Sequence, residues 1–190
     1  MPPWLVISIG YLLGGVPTAF IAGRVIRGQD IRRLGDENSG AANAFRELGH
    51  GAGVLVGAID AAKGALVVVI AQAFQMSLAV VLLAGLAAVI GHNWPVYLGF
   101  RGGRGVSTAI GILAVLVTLP MSILLAPTLL ILVVKRNVTP AMAFLFISLP
   151  LVDWWLGVPP VLIIYGMALP ALVGITHFLR TRTRALREAE

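Results

Sequence analysis

The sequence predicts an all-α integral membrane protein with seven transmembrane helices, the N-terminus outside and the C-terminus in the cytoplasm. Of its 190 residues, 58% are hydrophobic and only 12% are charged, and the mean hydropathy of +0.95 is far above that of soluble domains. Long apolar runs alternate with short polar breaks, and the basic residues are confined to some of these breaks. No polar stretch is long enough for a second domain, so we expect residues 1–190 to form a single transmembrane domain.

Six apolar runs, each near or above the ~20 residues that a bilayer core requires, define the spans. They are residues 3–23, 51–74, 76–100, 106–134, 138–155 and 158–179. The first run lacks a charged start and a cleavage motif, so we interpret it as a span and not as a signal peptide. The fourth run exceeds the upper limit of about 25 residues for one crossing. Leu119-Pro120 in its middle is the expected break, which makes seven helices.

The distribution of positive charge favours two crossings of the fourth run. All Lys and Arg residues except Lys63 lie in four segments, which are residues 24–50, 100–105, 135–136 and 180–187. The connections near Gln75, Pro120 and Asp153 contain none. With seven helices, every basic segment faces the cytoplasm and every uncharged connection faces outward. This confinement indicates topology and anionic ligands or lipid head groups, and we expect no nucleic acid partner.

Metal and thiol chemistry are not expected. The chain has no cysteine and three histidines, which excludes disulfides, thiolate metal sites and a cysteine nucleophile. The histidines are far apart in the sequence, and Asp36-Glu37 is the one pair of adjacent carboxylates. We therefore predict no metal site and no metal cofactor.

Residues 100–105, here called the glycine turn, are the strongest candidate for chemistry. Gly102, Gly103 and Gly105 are interleaved with Arg101 and Arg104, and Ser107 and Thr108 follow at the start of the next predicted helix. Glycines allow backbone N–H groups to converge on an anion, and an adjoining helix N-terminus and arginines favour phosphate. The spacing is not that of a P-loop. A tight turn with topogenic arginines is the alternative interpretation.

Four further ionisable residues lie within or beside the spans. Asp60 and Lys63 are three residues apart on one helical face, which predicts a buried ion pair first and ligand contact second. His92 precedes Trp94-Pro95, where it is expected to bond a carbonyl freed by the proline or to contact a ligand. His177 lies near the end of the last run, and the roles of general base, phosphate donor and helix cap are equally compatible with that position.

In order along the chain, these motifs resemble those of the bacterial acyl-phosphate:glycerol-3-phosphate acyltransferases. The matching segments are Gly15-Val16-Pro17-Thr18-Ala19, Gly35 to Arg46 with its Asn-x-Gly-Ala-x-Asn core, Asp60-x-x-Lys63-Gly64, Gly91-His92-x-x-Pro95 through the glycine turn, and Arg136-x-x-Thr139. The resemblance implies a seven-helix enzyme of the bacterial inner membrane with its active site facing the cytoplasm. It also implies acyl phosphate and glycerol 3-phosphate as substrates, a surrounding of membrane lipid, no cofactor and no obligate protein partner.

The resemblance further implies roles for individual residues. Arg46, Arg104 and His177 are the expected catalytic residues. The expected substrate-binding residues are Asn38, Ser39, Asn43, Lys63, His92, Arg101, Gly102, Gly103, Gly105, Ser107, Thr108, Arg136 and Thr139. The chain departs from the family pattern at Asp36 (usually Ser), Ala42 (usually Thr), Arg104 (usually Lys) and Arg180 (usually Asn). Asp36 would put a negative charge beside a phosphate unless it pairs with an arginine.

Two other functions are compatible with the same residues. A small transporter or flippase for an anionic lipid or organophosphate would also use arginines near a broken helix, although no inverted repeat is visible. An inactive scaffold protein is the second alternative, and it is favoured if Asp36 and Arg180 abolish binding.

Overall fold

The computed structural model describes residues 1–188, and the side chains of Arg180 and of residues 183–188 lie outside the described part. Across the described residues the regular structure is helical, with nine α-helices and two short 3₁₀ helices. The α-helices are α1 (Pro3–Gly14), α2 (Thr18–Arg27), α3 (Ala41–Glu47), α4 (His50–Ala73), α5 (Leu78–Asn93), α6 (Val106–Leu116), α7 (Thr118–Lys135), α8 (Val138–Trp155) and α9 (Pro160–Glu188). The 3₁₀ helices are Ile31–Arg33 and Val96–Leu98. The predicted departure at Arg180 concerns a side chain outside the described part.

The all-α membrane architecture is confirmed. Among the described residues, six helical segments are long and apolar enough to cross a membrane, with α1 and α2 counted as one. Helix α6 is apolar but has only 11 residues, about half of what a bilayer core requires. The count of seven crossings and the orientation of the termini stay predictions.

The fourth apolar run is broken, as predicted, but three residues earlier than expected. The break falls at Val117, whose φ of −130° and ψ of 58° are not helical. Pro120 instead lies in the first turn of α7, where its missing N–H leaves no hydrogen bond unmade. The Oγ1 of Thr118 donates to the carbonyl of Ala114 at 2.9 Å and so satisfies a backbone group at the break.

The first apolar run is also broken, which the sequence analysis did not predict. Helix α1 ends at Gly14, and α2 begins at Thr18 after a turn through Val16 and Pro17. The carbonyl of Val16 accepts from the backbone N–H of Thr18 at 3.0 Å and also from the Nζ of Lys63 at 3.0 Å. The break therefore exposes a polar backbone group inside the bundle, where a charged side chain satisfies it.

Small residues allow the helices at the centre to pack closely. A Cβ atom at Gly10 or Gly14 of α1 would overlap the backbone of Ala84 or Ala88 of α5, so these two helices run in the same direction. A Cβ at Gly111 of α6 would overlap the backbone of α4. Contacts between small residues are the usual means of packing helices in a membrane.

Several helix ends meet at one end of the bundle, here called the site end. The Nδ2 of Asn93, at the last residue of α5, donates to the Oγ1 of Thr176 in α9 at 3.2 Å. Gly105, just before α6, packs against Asn93, and Gly53 in the first turn of α4 packs against Phe45 of α3. The site end therefore brings the segment 28–49 and the glycine turn together.

Candidate active site

The carboxylate of Asp36 lies between two arginines from separate segments. Its Oδ2 accepts hydrogen bonds from Nη2 of Arg46 at 2.7 Å and from Nη2 of Arg104 at 3.2 Å. Arg46 belongs to α3 and Arg104 to the glycine turn. Burial lowers the pKa of the Arg104 guanidinium, and the charge of Asp36 opposes that shift. We call Arg46 and Arg104 the arginine pair.

Asn43 holds the loop that carries Asp36. Its side chain is fully buried, and its Nδ2 lies within hydrogen-bond distance of the carbonyls of Ile31, Leu34 and Asn38 at 3.2, 3.0 and 2.9 Å. Its Oδ1 accepts from the backbone N–H of Asp36 at 3.3 Å. The amide is thus occupied by the backbone of residues 31–38. In this structure Asn43 positions the loop, and direct contact of Asn43 with a substrate stays a prediction.

The glycine turn differs in one respect from the expected anion-binding nest. The N–H of Gly102 donates to the carbonyl of Asn93 at 3.2 Å, and that of Gly103 donates to the carbonyl of His92 at 2.9 Å. The nest interpretation is therefore wrong for these two N–H groups, because backbone carbonyls already accept from them. The glycines serve close packing instead, since a Cβ at Gly103 would overlap Nε2 of His92.

Helix α6 begins directly after the glycine turn, as predicted. Gly105 has a φ of 87°, which favours glycine and turns the chain into the helix. The N–H groups of the first helical turn, from Val106 to Thr108, have no acceptor within an α-helix and form its positive end. Ser107 is partly exposed, whereas Thr108 is buried with its carbonyl against Gly64 of α4.

Asp60, Lys63 and His92 form a buried charged cluster next to the glycine turn. The Nζ of Lys63 lies 2.8 Å from Oδ1 of Asp60, which confirms the predicted ion pair. The same oxygen accepts from Oγ1 of Thr18 at 3.0 Å and lies 3.8 Å from Nδ1 of His92. The cluster thereby ties α4 to the α1–α2 break and, through His92, to the glycine turn.

A polar cleft and an apolar groove meet beside this cluster. The cleft is small, with a cavity volume of about 10 Å³, and is lined by Ser39, Asp60, His92, Gly102 and Gly103 together with the α1–α2 break. The groove, with a cavity volume of about 450 Å³, lies between α2 and α4 and is lined almost entirely by apolar side chains. Val16 and Thr18 line both cavities. The two cavities therefore adjoin at the α1–α2 break.

The remaining predicted residues lie at different distances from this centre. Asn38 and Ser39 are buried in the loop before α3, while Arg101 is exposed on the glycine turn. His177 is exposed, and it lies close enough to Arg104 and Asp36 to feel their charges. Arg136 and Thr139 are exposed at the α7–α8 connection, where the N–H of Thr139 donates to Oδ1 of Asn137. Within the described part of the chain, Arg136 and Thr139 make no hydrogen bond or ion pair with the arginine pair.

Arg32 is a residue of the site end that the sequence analysis did not single out. Its guanidinium contacts both carboxylate oxygens of Asp30, with Nη2 2.8 Å from Oδ2, and its Nη1 donates to the carbonyl of Leu98 at 3.0 Å. The hydrogen bonds from Arg32 lower the pKa of Asp30 below its usual range. Arg32 thus fastens the loop before α3 to the segment that leads into the glycine turn. The sequence Asp30-Ile31-Arg32, directly before the matching segment Gly35 to Arg46, was the available signal.

Comparison with known proteins gives consistent results over nearly the whole chain. The profile of the family described as glycerol-3-phosphate acyltransferase matches residues 4–187. Glycerol-3-phosphate acyltransferase 4 of Dehalococcoides mccartyi is 46% identical over 184 residues, covering 97% of this chain and 100% of that protein. Glycerol-3-phosphate acyltransferase 1 of the same organism is 39% identical over 180 residues, covering 92% of this chain and 86% of that one.

The fold is similar to that of solved acyltransferases. The crystal structure of PlsY (YgiH), an integral membrane glycerol 3-phosphate acyltransferase, in its glycerol 3-phosphate form has a TM-score of 0.80 and 31% identity, covering 99% of this chain and 94% of that one. The lysophosphatidic acid form of the same protein has a TM-score of 0.78 and 30% identity, with 99% and 93% covered. On the sequence motifs, the fold and the extent of these matches, the chain belongs to the glycerol-3-phosphate acyltransferase family.

Proposed function

We propose that this protein transfers a fatty acyl group from acyl phosphate to the 1-hydroxyl of glycerol 3-phosphate, giving lysophosphatidic acid and inorganic phosphate. The observation that carries the proposal is the arginine pair, brought together on one carboxylate at the site end. Gly103, next to Arg104 in the chain, lines the polar cleft, and the apolar groove adjoins that cleft at the α1–α2 break. Two cations suit a phosphate group, and the groove suits a hydrocarbon chain. Membership of the acyltransferase family makes this function preferable to a transporter or an inactive scaffold.

The reaction needs positioning and charge stabilisation more than an added catalyst. The hydroxyl oxygen of the acceptor bonds to the acyl carbon, the bond between that carbon and the phosphate oxygen breaks, and the acceptor proton passes to the released phosphate. Acyl phosphate is a mixed anhydride, so its phosphate leaves readily. Negative charge grows on that phosphate in the transition state, and preorganised cations lower the barrier.

The roles proposed for the side chains follow this chemistry. Arg46 and Arg104 neutralise phosphate, with the N-terminus of α6 and Ser107 close by. Ser39 orients the substrates from the wall of the cleft, Asn38 does so from the same loop, and His177 binds phosphate or assists proton transfer. The buried Lys63 and His92 act indirectly, because both belong to the cluster that holds the α1–α2 break and the glycine turn in place.

The acyl chain is assigned to the groove between α2 and α4. Its walls include the exposed side chains of Ile21, Val25 and Leu55, and it reaches Val16 and Thr18 at the wall of the cleft. A chain lying there places the acyl carbon at the junction of the two cavities. The groove is open on the side of the lipid, so a donor dissolved in the membrane can enter sideways.

We also propose that the site end faces the cytoplasm and that α6 and α7 together make two crossings. Helix α9 reaches the site end at Thr176, and Gly166, farther from that end, lies near Asp153 of α8. Helices α7 and α8 pack against each other across a two-residue connection, which favours an antiparallel pair. Lys135 and Arg136 would then lie at the site end with the other basic segments, as the positive-inside rule requires.

The experiment that tests the function compares donors. Purified protein in detergent receives glycerol 3-phosphate with palmitoyl phosphate, or with a palmitoyl thioester in its place. The proposal predicts lysophosphatidic acid from the phosphate donor alone. Transfer from the thioester and none from acyl phosphate would overturn the donor assignment, and no product from either donor by folded protein would overturn the proposed reaction.

A further inference from the structure

We propose that Asp36 is a competing internal ligand. Its carboxylate occupies the arginine pair in the substrate-free protein, and a phosphate dianion displaces it on binding. The inference rests on the proposed function and adds to it the residue that sets how tightly phosphate is held. Asp36 stands where the family usually has a serine, so the family pattern alone does not predict this competition.

The carboxylate fills the arginine pair incompletely. A single oxygen, Oδ2, accepts from both guanidinium groups. Within the described residues, the other oxygen of Asp36 and the Nε of Arg104 are both buried without a hydrogen-bond partner. The Nε and Nη2 edge of a guanidinium suits two oxygens at once, and here only Nη2 is used. A phosphate group, with three terminal oxygens, can reach both nitrogens of Arg104 and also Arg46.

Phosphate and the Asp36 carboxylate do not fit the pair together. The site is only partly open to solvent, with Asp36 and Arg104 side chains exposed by 26% and 22%. Like charges at hydrogen-bond separation in such a site repel strongly. The pair supplies two positive charges, whereas the carboxylate and a phosphate dianion together carry three negative charges. Binding of phosphate therefore favours departure of the carboxylate.

The loop around Asp36 permits that departure without unfolding the site. Asp36 lies outside the helices, between Gly35 and Glu37, whose φ angles are 55° and 56°. Its backbone N–H is held by Oδ1 of Asn43, so the main chain is fixed while the short side chain can rotate toward solvent. Asn43 then keeps the turn in place in both states.

Competition of this kind raises the apparent Kd for phosphate by the inverse of the fraction of time that the pair is free of the carboxylate. If the competent state is populated about 10% of the time, the apparent Kd is raised about tenfold. The ligand chemistry is a phosphate dianion, which glycerol 3-phosphate, acyl phosphate and the inorganic phosphate product all provide. Weaker retention of the product would free the site for the next turnover.

The test measures equilibrium binding to the full chain in detergent by titration calorimetry. Asp36→Asn keeps the shape of the side chain and removes its charge, and Glu37→Gln removes the same charge from an exposed neighbour as the matched control. We expect Asp36→Asn to bind inorganic phosphate at least about tenfold more tightly, while Glu37→Gln stays within about twofold of the wild type. Unchanged or weaker binding in Asp36→Asn would overturn the inference.

Glycerol 3-phosphate provides a second arm that distinguishes the source of the phosphate. If Asp36→Asn binds both ligands more tightly than the wild type, the arginine pair holds the acceptor phosphate. If it binds only inorganic phosphate more tightly, the pair holds the donor phosphate. Both results support displacement of Asp36. These measurements need no turnover. If Asp36→Asn binds phosphate more tightly but the protein transfers no acyl group, the proposed function is refuted and the inference stands. Absence of phosphate binding in both proteins would overturn both.

Thermal unfolding distinguishes displacement of Asp36 from a purely structural role of that residue. Without phosphate, Asp36→Asn should have a lower Tm than the wild type, because the arginine pair is left uncompensated. Added phosphate should then raise the Tm of Asp36→Asn by more than it raises that of the wild type. A variant whose lower Tm is not restored by phosphate would identify Asp36 as a permanent bridge and contradict displacement.

Discussion

The Nζ of Lys63 and the Oδ1 of Asp60 are 2.8 Å apart within the buried part of α4. This ion pair also binds the carbonyl of Val16 and the hydroxyl of Thr18, both at the break between α1 and α2. One charged pair in the second span therefore fixes the geometry of the first. The cleft depends on that geometry, because the break forms part of its wall.

Replacement of one partner should destabilise the protein far more than replacement of both. Lys63→Met leaves a buried carboxylate without its cation, and loss of one partner from a buried pair costs about 3–5 kcal/mol. Asp60→Asn combined with Lys63→Met should recover a large part of that loss. A double-mutant cycle on unfolding in detergent measures the coupling. Effects that simply add, within about 0.5 kcal/mol, would show that the pair does not interact.

Arg104 should be essential for turnover if the arginine pair stabilises the developing charge on phosphate. Arg104→Ala is expected to lower kcat by at least ~10²-fold, the usual effect of removing a preorganised donor. Arg104→Lys keeps the charge and should lose less. Arg33→Ala, an exposed arginine of the same polar segment as Arg46, is the control and should keep wild-type turnover. A near-normal kcat in Arg104→Ala would show that the arginines of the glycine turn determine topology and not catalysis.

Gly103 should tolerate no side chain. A Cβ there would overlap Nε2 of His92, and His92 is buried beside Asp60, so the glycine turn itself must shift. Displacement of site groups by about 1 Å can cost up to 10²-fold in rate. We expect Gly103→Ala to lower kcat at least about tenfold, by the same reasoning. Gly174→Ala, where a Cβ meets no atom within 4 Å, should be neutral. Equal activity of the two variants would contradict a packing role for Gly103.

The overall fold was largely predictable from hydropathy and charge, and the helix breaks were less so. The fifth span, residues 138–155, has the predicted bounds, because Lys135-Arg136-Asn137 precede it and a turn with Gly157 and Pro159 follows it. The break at Val117 was misplaced because a proline is a poor guide to where a helix stops when it fits equally well in the first turn of the next. The α1–α2 break involves a Gly-Val-Pro turn within a uniformly apolar run, so hydropathy gives no signal there.

The sequence named the candidate residues but not the contacts between them. Charge and glycine content pointed to Arg104, the family resemblance pointed to Arg46, and the possibility that Asp36 pairs with an arginine followed from sign alone. The N–H groups of Gly102 and Gly103 donate to carbonyls of α5 because the turn folds back on that helix. Composition carries no information on that fold-back.

The predicted topology can be tested in a chain that has no cysteine of its own. Single cysteines at Gln75 and Asn137 are labelled with a membrane-impermeant thiol reagent in intact cells and in opened membranes. Seven helices place Gln75 outside and Asn137 in the cytoplasm, so we expect only the first to react in intact cells. Labelling of both from the same side would refute the seven-helix topology.

The central claim is that acyl transfer from acyl phosphate takes place at the arginine pair without a metal ion. The most direct measurement follows lysophosphatidic acid and inorganic phosphate together, in one reaction of purified protein with palmitoyl phosphate, glycerol 3-phosphate and EDTA. We predict equal amounts of the two products, a rate unchanged by EDTA, and loss of both products in the Arg46→Ala, Arg104→Ala double variant. Phosphate released without lysophosphatidic acid, or full activity in the double variant, would contradict it.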